Sequence, residues 1–165
     1  MGVSRAVFLA FAIAIAGCHG AEVHDRVPLA VRLGAFHSAT FVVAGGSLDA
    51  DDVKSFREEL VTRVTDAKLF AQVVPPGAVA ELMIRVTLLS ESDDGAVEVS
   101  FAVELFDVRQ QHKLVGRFDV DADSRSGGGF SMGSGVNIDF DSKTTKALEK
   151  AASAIVAHLE EVSSG

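Results

Sequence analysis

The sequence of 165 residues has no tryptophan, no tyrosine and a single cysteine. One cysteine cannot form an internal disulfide, which excludes a small domain stabilised by disulfides. Surfaces that bind sugars or protein partners favour aromatic residues with a polar group, and here eleven phenylalanines take their place. We therefore expect the phenylalanines to lie mostly in the core.

Basic residues are also few. Fifteen Lys and Arg stand against twenty-three Asp and Glu, which gives a formal net charge of −8. Phosphate groups repel such a chain, so we predict no nucleic-acid partner. The same charge argues against a domain that lies flat on anionic lipid.

The start of the chain lacks the run of roughly 20 apolar residues that a membrane-spanning helix needs. Residues 7–17 form a run of only eleven small or apolar residues, and Arg5 precedes it. A basic residue, a short apolar run and then small residues are typical of a cleaved secretory signal peptide.

Ile15-Ala16-Gly17-Cys18 ends this run and resembles the lipobox of bacterial lipoproteins. The resemblance implies cleavage after Gly17 and a diacylglycerol on Cys18, and two or three acyl chains suffice for a stable anchor. The alternative is an ordinary signal-peptide edge followed by a buried free cysteine. His19 stands where aspartate retains lipoproteins in the inner membrane of enteric bacteria, so the resemblance favours the outer membrane. The predicted organisation is a lipoprotein signal peptide over 1–17, a lipidated N-terminus and short tether over 18–26, and a single α+β domain over 27–165.

Apolar periodicity predicts the elements of this domain. Strand patterns occur at 28–36, 39–44, 69–74, 81–90, 97–108 and 113–123. Apolar residues at helical spacing predict amphipathic helices over about 49–67 and about 143–162. Together they predict an α+β two-layer sandwich, with a mostly antiparallel sheet of five or six strands and both helices on one face.

Ser131 lies in Gly129-Phe130-Ser131-Met132-Gly133, a G-x-S-x-G pattern that is followed by Asp139 or Asp141 and then His158. A hydrolase nucleophile with this pattern lies between a strand and a helix. Here glycines flank the serine on both sides, and we expect 126–135 to be a mobile, catalytically inert loop. A serine hydrolase is the remote alternative.

Asp119, Asp121 and Asp123 begin like a calcium loop. Position six of that motif is Ser124 instead of glycine, and position twelve is Phe130 instead of glutamate. A strand with one buried face explains the alternation, and a similar pattern occurs at 137–141. Weak calcium binding at 119–123 and 137–141 stays open as an alternative.

The histidines offer no metal site. His24, His37, His112 and His158 lack the i, i+3 or i, i+4 spacing that places two imidazoles on one metal. The glycine-rich stretch also lacks the residues of a phosphate-binding loop. We predict no catalytic residue, no metal and no cofactor.

Four stretches carry a family resemblance: FREELVTRVTDAKLFAQVV, AELMIRVTLL, VEVSFAVELFDVRQQHKLVGRFDV and TTKALEKAASAIVAHLEEV. They resemble the bacterial lipoprotein family known as domain of unknown function 4410. The shared pattern is a helix leading into a Leu-Phe strand, an apolar strand, a strand ending at Asp107 and a closing alanine-rich helix. Family members often have Lys-Thr-Gly where this chain has Gln110-Gln111-His112. The resemblance implies an envelope lipoprotein without a known reaction, with Cys18 as its one functional residue.

These observations predict a non-enzymatic protein that faces the periplasm. Its membrane attachment is the lipid on Cys18, and its role is to bind or scaffold an unknown envelope protein partner. The alternative is a carrier of a small ligand or lipid, which requires an apolar cavity between the helices and the sheet.

Overall fold

Six strands and two helices make up the fold in a computed structural model that describes residues 21–125 and 143–164. Short 3-10 helices also occur at Leu33–Ala35 and Val108–Gln110. The strands are β1 (Ala21–Val27), β2 (Ser38–Ala44), β3 (Gln72–Val74), β4 (Leu82–Asp93), β5 (Val97–Asp107) and β6 (Lys113–Asp123), and the helices are α1 (Ala50–Asp66) and α2 (Lys143–Ser164). The α+β class predicted from the sequence is confirmed.

The strands form one mixed sheet in the order β1-β6-β5-β4-β2-β3. The pairs β1/β6, β5/β6 and β4/β5 are antiparallel, whereas β2 runs parallel to both β4 and β3. The chain passes through α1 between β2 and β3, and such a crossover returns it in the same direction. The crossover through α1 is therefore the reason that β2 is parallel to its neighbouring strands.

Helix α1 begins at a side-chain cap. Asp49 Oδ1 accepts hydrogen bonds from the backbone N–H groups of Asp51 and Asp52 at 3.0 and 2.8 Å. Both of these aspartates also place negative charge at the positive end of the helix dipole. The helix at Ala50–Asp66 confirms the prediction of about 49–67.

The core lies between the helices and one face of the sheet. Phe56 of α1 stacks on Phe101 of β5 with 4.8 Å between ring centroids. Helix α2 adds a longer buried stripe, which consists of Ala147, Leu148, Ala151, Ala152, Ile155, Val156 and Leu159. Both helices thus cover the same face, as predicted, and every described phenylalanine except Phe106 is buried.

The prediction for the segment before β2 was wrong. Residues 28–36, expected to be a strand, are irregular and contain the 3-10 helix at Leu33–Ala35. Pro28 has no N–H to donate to a neighbouring strand, which disfavours pairing there. Ala21–Val27, which was expected to be mostly tether, is instead the edge strand β1.

Neither of the two described helices has the length and apolarity that crossing a bilayer would require.

Candidate functional site

The acidic stripe of β6, which consists of Asp119, Asp121 and Asp123, lies mainly on the outer face of the sheet, the face turned away from both helices. Its apolar neighbours Phe118, Val120 and Ala122 are buried toward the helices, which confirms the predicted alternation. Within the stripe, Asp119 is itself largely shielded from solvent, because its relative exposure is 8%.

Neighbouring strands supply partners for two of the three aspartates, Asp119 and Asp121. Asp119 Oδ2 accepts a hydrogen bond from Arg26 Nε of β1 at 2.7 Å. Asp121 accepts one from the Ser100 hydroxyl of β5 and lies 3.4 Å from His24 Nε2 of β1. These contacts offset the repulsion that like charges along one strand would otherwise cause.

The third aspartate of the stripe contacts helix α2. Asp123 Oδ1 lies 3.3 Å from Lys150 Nζ of α2. Alternate residues of a strand are about 6.5–7 Å apart, so the three carboxylates do not converge on one cation. The similar segment at 137–141 lies outside the described residues.

A cross-strand row of charge continues the outer face toward β4. Arg85 Nε and Nη2 both donate to Glu104 Oε2, at 2.9 and 2.7 Å. Arg117 Nη1 lies 3.8 Å from Glu104 Oε1, and the Arg85 guanidinium lies 4.8 Å from the centroid of the Phe106 ring. Sequence reasoning missed this row, although the alternation of these charged residues with apolar ones was an available signal.

The outer face keeps some unused hydrogen-bonding capacity. Among the described residues, three of its buried polar atoms have no hydrogen-bond partner: Thr40 Oγ1, Arg117 Nε and Asp119 Oδ1. Asp119 Oδ1 lies 3.6 Å from Arg117 Nη2, which is within ion-pair range but too long for a hydrogen bond. Such atoms are available to ordered water or to a polar partner.

A second charged group lies at the corner between β5 and β6. Asp107 is fully buried, and its carboxylate accepts hydrogen bonds from Arg109 Nε and Nη2 at 3.1 and 3.2 Å. The same guanidinium donates to the backbone oxygen of Ala35 and lies 4.4 Å from the centroid of the Phe36 ring. The Arg109 hydrogen bond holds the pKa of Asp107 below its usual value, against the opposing effect of burial. We assign this corner to folding because both charges are engaged within the chain.

His158, the histidine of the hydrolase alternative, connects α2 to β1. Its Nε2 lies 2.9 Å from Asp25 Oδ1, and its Nδ1 lies 3.8 Å from Glu161 Oε2. The imidazole packs edge-on against Phe118, with 4.5 Å between centroids. The cavity beside it has a volume of about 20 Å³, enough for one water. Ser131, Asp139 and Asp141 lie outside the described residues.

The remaining predicted histidines are apart from one another. His24 is on β1. His37 lies just before β2, where its backbone N–H donates a hydrogen bond to Glu81 Oε2 at 2.7 Å. His112 lies in the turn before β6 and has a left-handed backbone conformation. Within 21–125 and 143–164, no group of three or more His, Cys, Asp or Glu side chains is arranged to hold a metal ion.

A groove of about 540 Å³ lies between α1 and β3. Arg57 and Glu58 of α1 stand on one side of it, and the described part of the chain provides no ion-pair partner for the Arg57 guanidinium. The other lining residues are mostly apolar: Phe41, Val61, Thr62, Val73, Val74, Pro75 and Pro76. The groove is more open than enclosed, so it would leave part of a bound molecule in solvent. The sequence did not reveal the groove, because it depends on how α1 packs beside β3.

Cys18, the predicted lipidation site, lies outside the described residues, as do residues 126–135, which were predicted to form a loop. The described part of the chain nevertheless begins close to this cysteine in sequence. β1 starts at Ala21, three residues later, and pairs with β6 from Ala21 through Val27.

No protein-family model matches the sequence, and no curated protein matches it. The resemblance to the 4410 family therefore stays a prediction. Among solved structures, the chain is similar to PelC from Paraburkholderia phytofirmans, a dodecamer, with TM-scores of 0.58 and 0.57 in two crystal forms at 16% and 15% identity. Each comparison covers 85% of this chain and 97% of PelC.

A third solved structure is a candidate lipoprotein from Caulobacter crescentus CB15, with a TM-score of 0.40, 15% identity, and coverage of 74% of this chain and 91% of that one. We draw no argument from a likeness at that score. The likeness to PelC shows that the two chains share a fold.

Proposed function

We propose that this chain is a lipid-anchored envelope protein that faces the periplasm and has a non-enzymatic binding or scaffolding role. One observation carries the proposal: Cys18 ends a signal-like apolar run and stands three residues before a strand of the sheet. A lipid on Cys18 would therefore attach almost directly to the folded domain. The outer membrane is favoured over the inner one because His19 follows the cysteine.

Self-assembly is the form of scaffolding that the fold comparison supports. PelC, which has the same fold, is a dodecamer. In the described part of this chain, β1 and β3 end the sheet and each has one free edge. Contacts between two different surfaces of identical subunits close into rings when the rotation between neighbours allows it.

The contacts of His158 support a non-enzymatic role. Its Nε2 lies 2.9 Å from Asp25 Oδ1 and its side chain is only 11% exposed, so the imidazole already has a structural role in holding α2 against β1. A screen of ester substrates with the wild type and Ser131→Ala tests this. We expect no activity in either protein, and hydrolysis that the variant loses would overturn the non-enzymatic role.

Replacement of Cys18 tests the anchor. We expect Cys18→Ser to abolish palmitate labelling and to release the protein from membranes, because the predicted lipid is its attachment. Ser47→Ala, at an exposed position before α1, is the matched control and should label and fractionate like the wild type. Unchanged labelling in Cys18→Ser would refute the lipoprotein proposal, and density-gradient separation of the two membranes tests the outer location.

The second candidate function is a carrier of a single-chain amphiphile with an anionic head. The groove between α1 and β3 favours it, because its lining is mostly apolar and the Arg57 guanidinium is unpaired within the described residues. Mass spectrometry of lipids extracted from the purified soluble domain tests the idea. A bound acidic amphiphile that Arg57→Gln loses would support the carrier, and a lipid-free domain would exclude it.

A further inference from the structure

We propose that the tip of the β4–β5 hairpin, residues 92–96, rests on the headgroups of the bilayer that holds the anchor. This inference rests on the proposed lipidation of Cys18 and goes beyond it, because it specifies which end of the domain faces the membrane. The opposite end, with the β5–β6 turn, would then point into the periplasm.

The length of chain before β1 is the first argument. Three residues separate Cys18 from Ala21, and a chain spans at most about 3.3–3.6 Å per residue. The first residue of β1 therefore lies within about 11 Å of the anchored cysteine. β1 is paired with β6 from this residue onward, so the sheet cannot move away from the bilayer without breaking β1 from its edge.

The register of the sheet is the second argument. Ala21 pairs with Ala122, Ala122 with Val99, and Val99 with Glu91, so these four residues form one row across the sheet. Beyond that row, the chain of β4 continues for three residues to Asp94, about 10 Å further. The hairpin therefore extends past β1 by about the greatest length that the link to Cys18 can span, so its tip is long enough to reach the level of the anchor.

Other contacts hold the hairpin tip in place. Lys143 Nζ, at the start of α2, donates to the backbone oxygen of Gly95 at 2.9 Å. Val97 N–H donates to Ser124 Oγ at 2.9 Å, and Ser124 N–H donates to the Val97 oxygen at 2.8 Å. The tip is thus connected to both β6 and α2, and it offers a supported surface at the membrane end.

Charge selects the kind of headgroup. The tip carries Asp93 and Asp94 beside the ammonium group of Lys143. Helix α1, with Asp51 and Asp52 in its first turn, begins near the same end, because Ser47 just before it donates a hydrogen bond to Glu91 of β4. Burial and like charges raise the pKa of Asp52. An acidic end repels phosphatidylglycerol and is complementary to headgroups with an ammonium group, such as phosphatidylethanolamine. A bilayer rich in that lipid is the partner we assign to the tip.

Two introduced cysteines test the orientation. Ser92→Cys lies at the start of the tip and Lys113→Cys lies at the other end of the domain, and both positions are exposed. Ser92 pairs with Glu98 and Lys113 with Asp107, nine residues apart on β5, which separates the labels by about 30 Å. Because the lipid occupies the thiol of Cys18, the introduced cysteine is the one free thiol that a fluorophore can modify.

The measurement is energy transfer from this fluorophore to an acceptor-labelled headgroup in phosphatidylethanolamine vesicles that carry the lipidated full-length protein. We expect at least twofold higher transfer from Ser92→Cys than from Lys113→Cys. Insertion of twelve Gly and Ser residues between Gly20 and Ala21 should abolish the difference, because the link then no longer holds the tip at the membrane. Equal transfer from the two labels without the insertion would overturn the orientation, as would an unchanged difference with it.

The anchor is checked separately by palmitate labelling and by flotation with the vesicles. A protein that is lipidated and floats but shows equal transfer retains the proposed function and loses this inference. A protein that is not lipidated loses both.

Discussion

His158 of α2 and Asp25 of β1 meet at 2.9 Å between Nε2 and Oδ1, which connects the closing helix to the strand that comes after the predicted anchor. The side chain of His158 is 11% exposed, and its ring packs edge-on against Phe118. Asp25 is 60% exposed, so the contact lies at the boundary of the core. It is the point at which α2 can stabilise the pairing of β1 with β6.

We predict that His158→Ala loosens β1. Loss of the hydrogen bond and of the packing on Phe118 should lower the free energy of unfolding by about 1–2 kcal/mol. The rate of amide hydrogen exchange should also increase over the wild type, and this increase should be larger in β1 than in β5. Asp25→Asn, which keeps the shape and the hydrogen-bonding capacity, is the matched control and should change less. Unchanged exchange in the β1 amides of His158→Ala would contradict the role of this pair.

The core prediction concerns Phe56, which is 2% exposed and stacked on Phe101. Phe56→Ala should lower the free energy of unfolding by about 2–5 kcal/mol, because truncation removes buried area and leaves a cavity. Lys54→Ala on the exposed side of α1 should cost less than about 0.5 kcal/mol. Urea denaturation measures both, and a loss under about 1 kcal/mol for Phe56→Ala would show that the stack contributes little.

Asp107 should give the domain part of its acid sensitivity. The Arg109 hydrogen bond lowers the pKa of Asp107, so this carboxylate stabilises the fold at pH values above its unfolded pKa of about 3.9. The contribution is lost as pH falls through the lower folded pKa. Asp107→Asn should therefore be less stable than the wild type at pH 7. The difference between their free energies of unfolding should decrease as the pH falls below about 4.

Urea midpoints at pH 7, 5 and 3 measure that difference. Arg109→Gln removes the partner and should weaken the same pH dependence. A difference between the wild type and Asp107→Asn that stays constant from pH 7 to pH 3 would contradict the assignment.

Glu104 accepts two hydrogen bonds from Arg85 and lies near Arg117, and its side chain is 16% exposed. Glu104→Gln would leave two arginines side by side, and we expect a loss of about 1 kcal/mol, because both guanidinium groups remain partly in solvent. Glu98→Gln is the matched control: its pair with Arg125 is mostly exposed, and its loss should be under about 0.5 kcal/mol. Equal losses in the two variants would show that burial of Glu104 adds nothing.

Local patterns in the sequence were enough to predict both helices and most strands. The Asp49 cap and the spacing of Phe56, Leu60 and Val64 place α1 within one residue of its ends, because capping and a 3.6-residue period act within one segment. The alternation around Asp119 and Asp121 likewise predicted which face of β6 is buried, since side chains alternate across any strand.

Three features could be seen only in the tertiary structure: that residues 21–27 form β1, that β2 runs parallel to its neighbours, and that a groove lies beside Arg57. Residues 21–27 carry four charged or titratable side chains and look like a linker. They become a strand because β6 offers a free edge, where the Asp119 and Asp121 carboxylates contact the side chains of Arg26 and His24. The parallel pairing of β2 depends on where α1 returns the chain. Such features depend on contacts between residues far apart in sequence, and local patterns of apolar residues do not indicate such contacts.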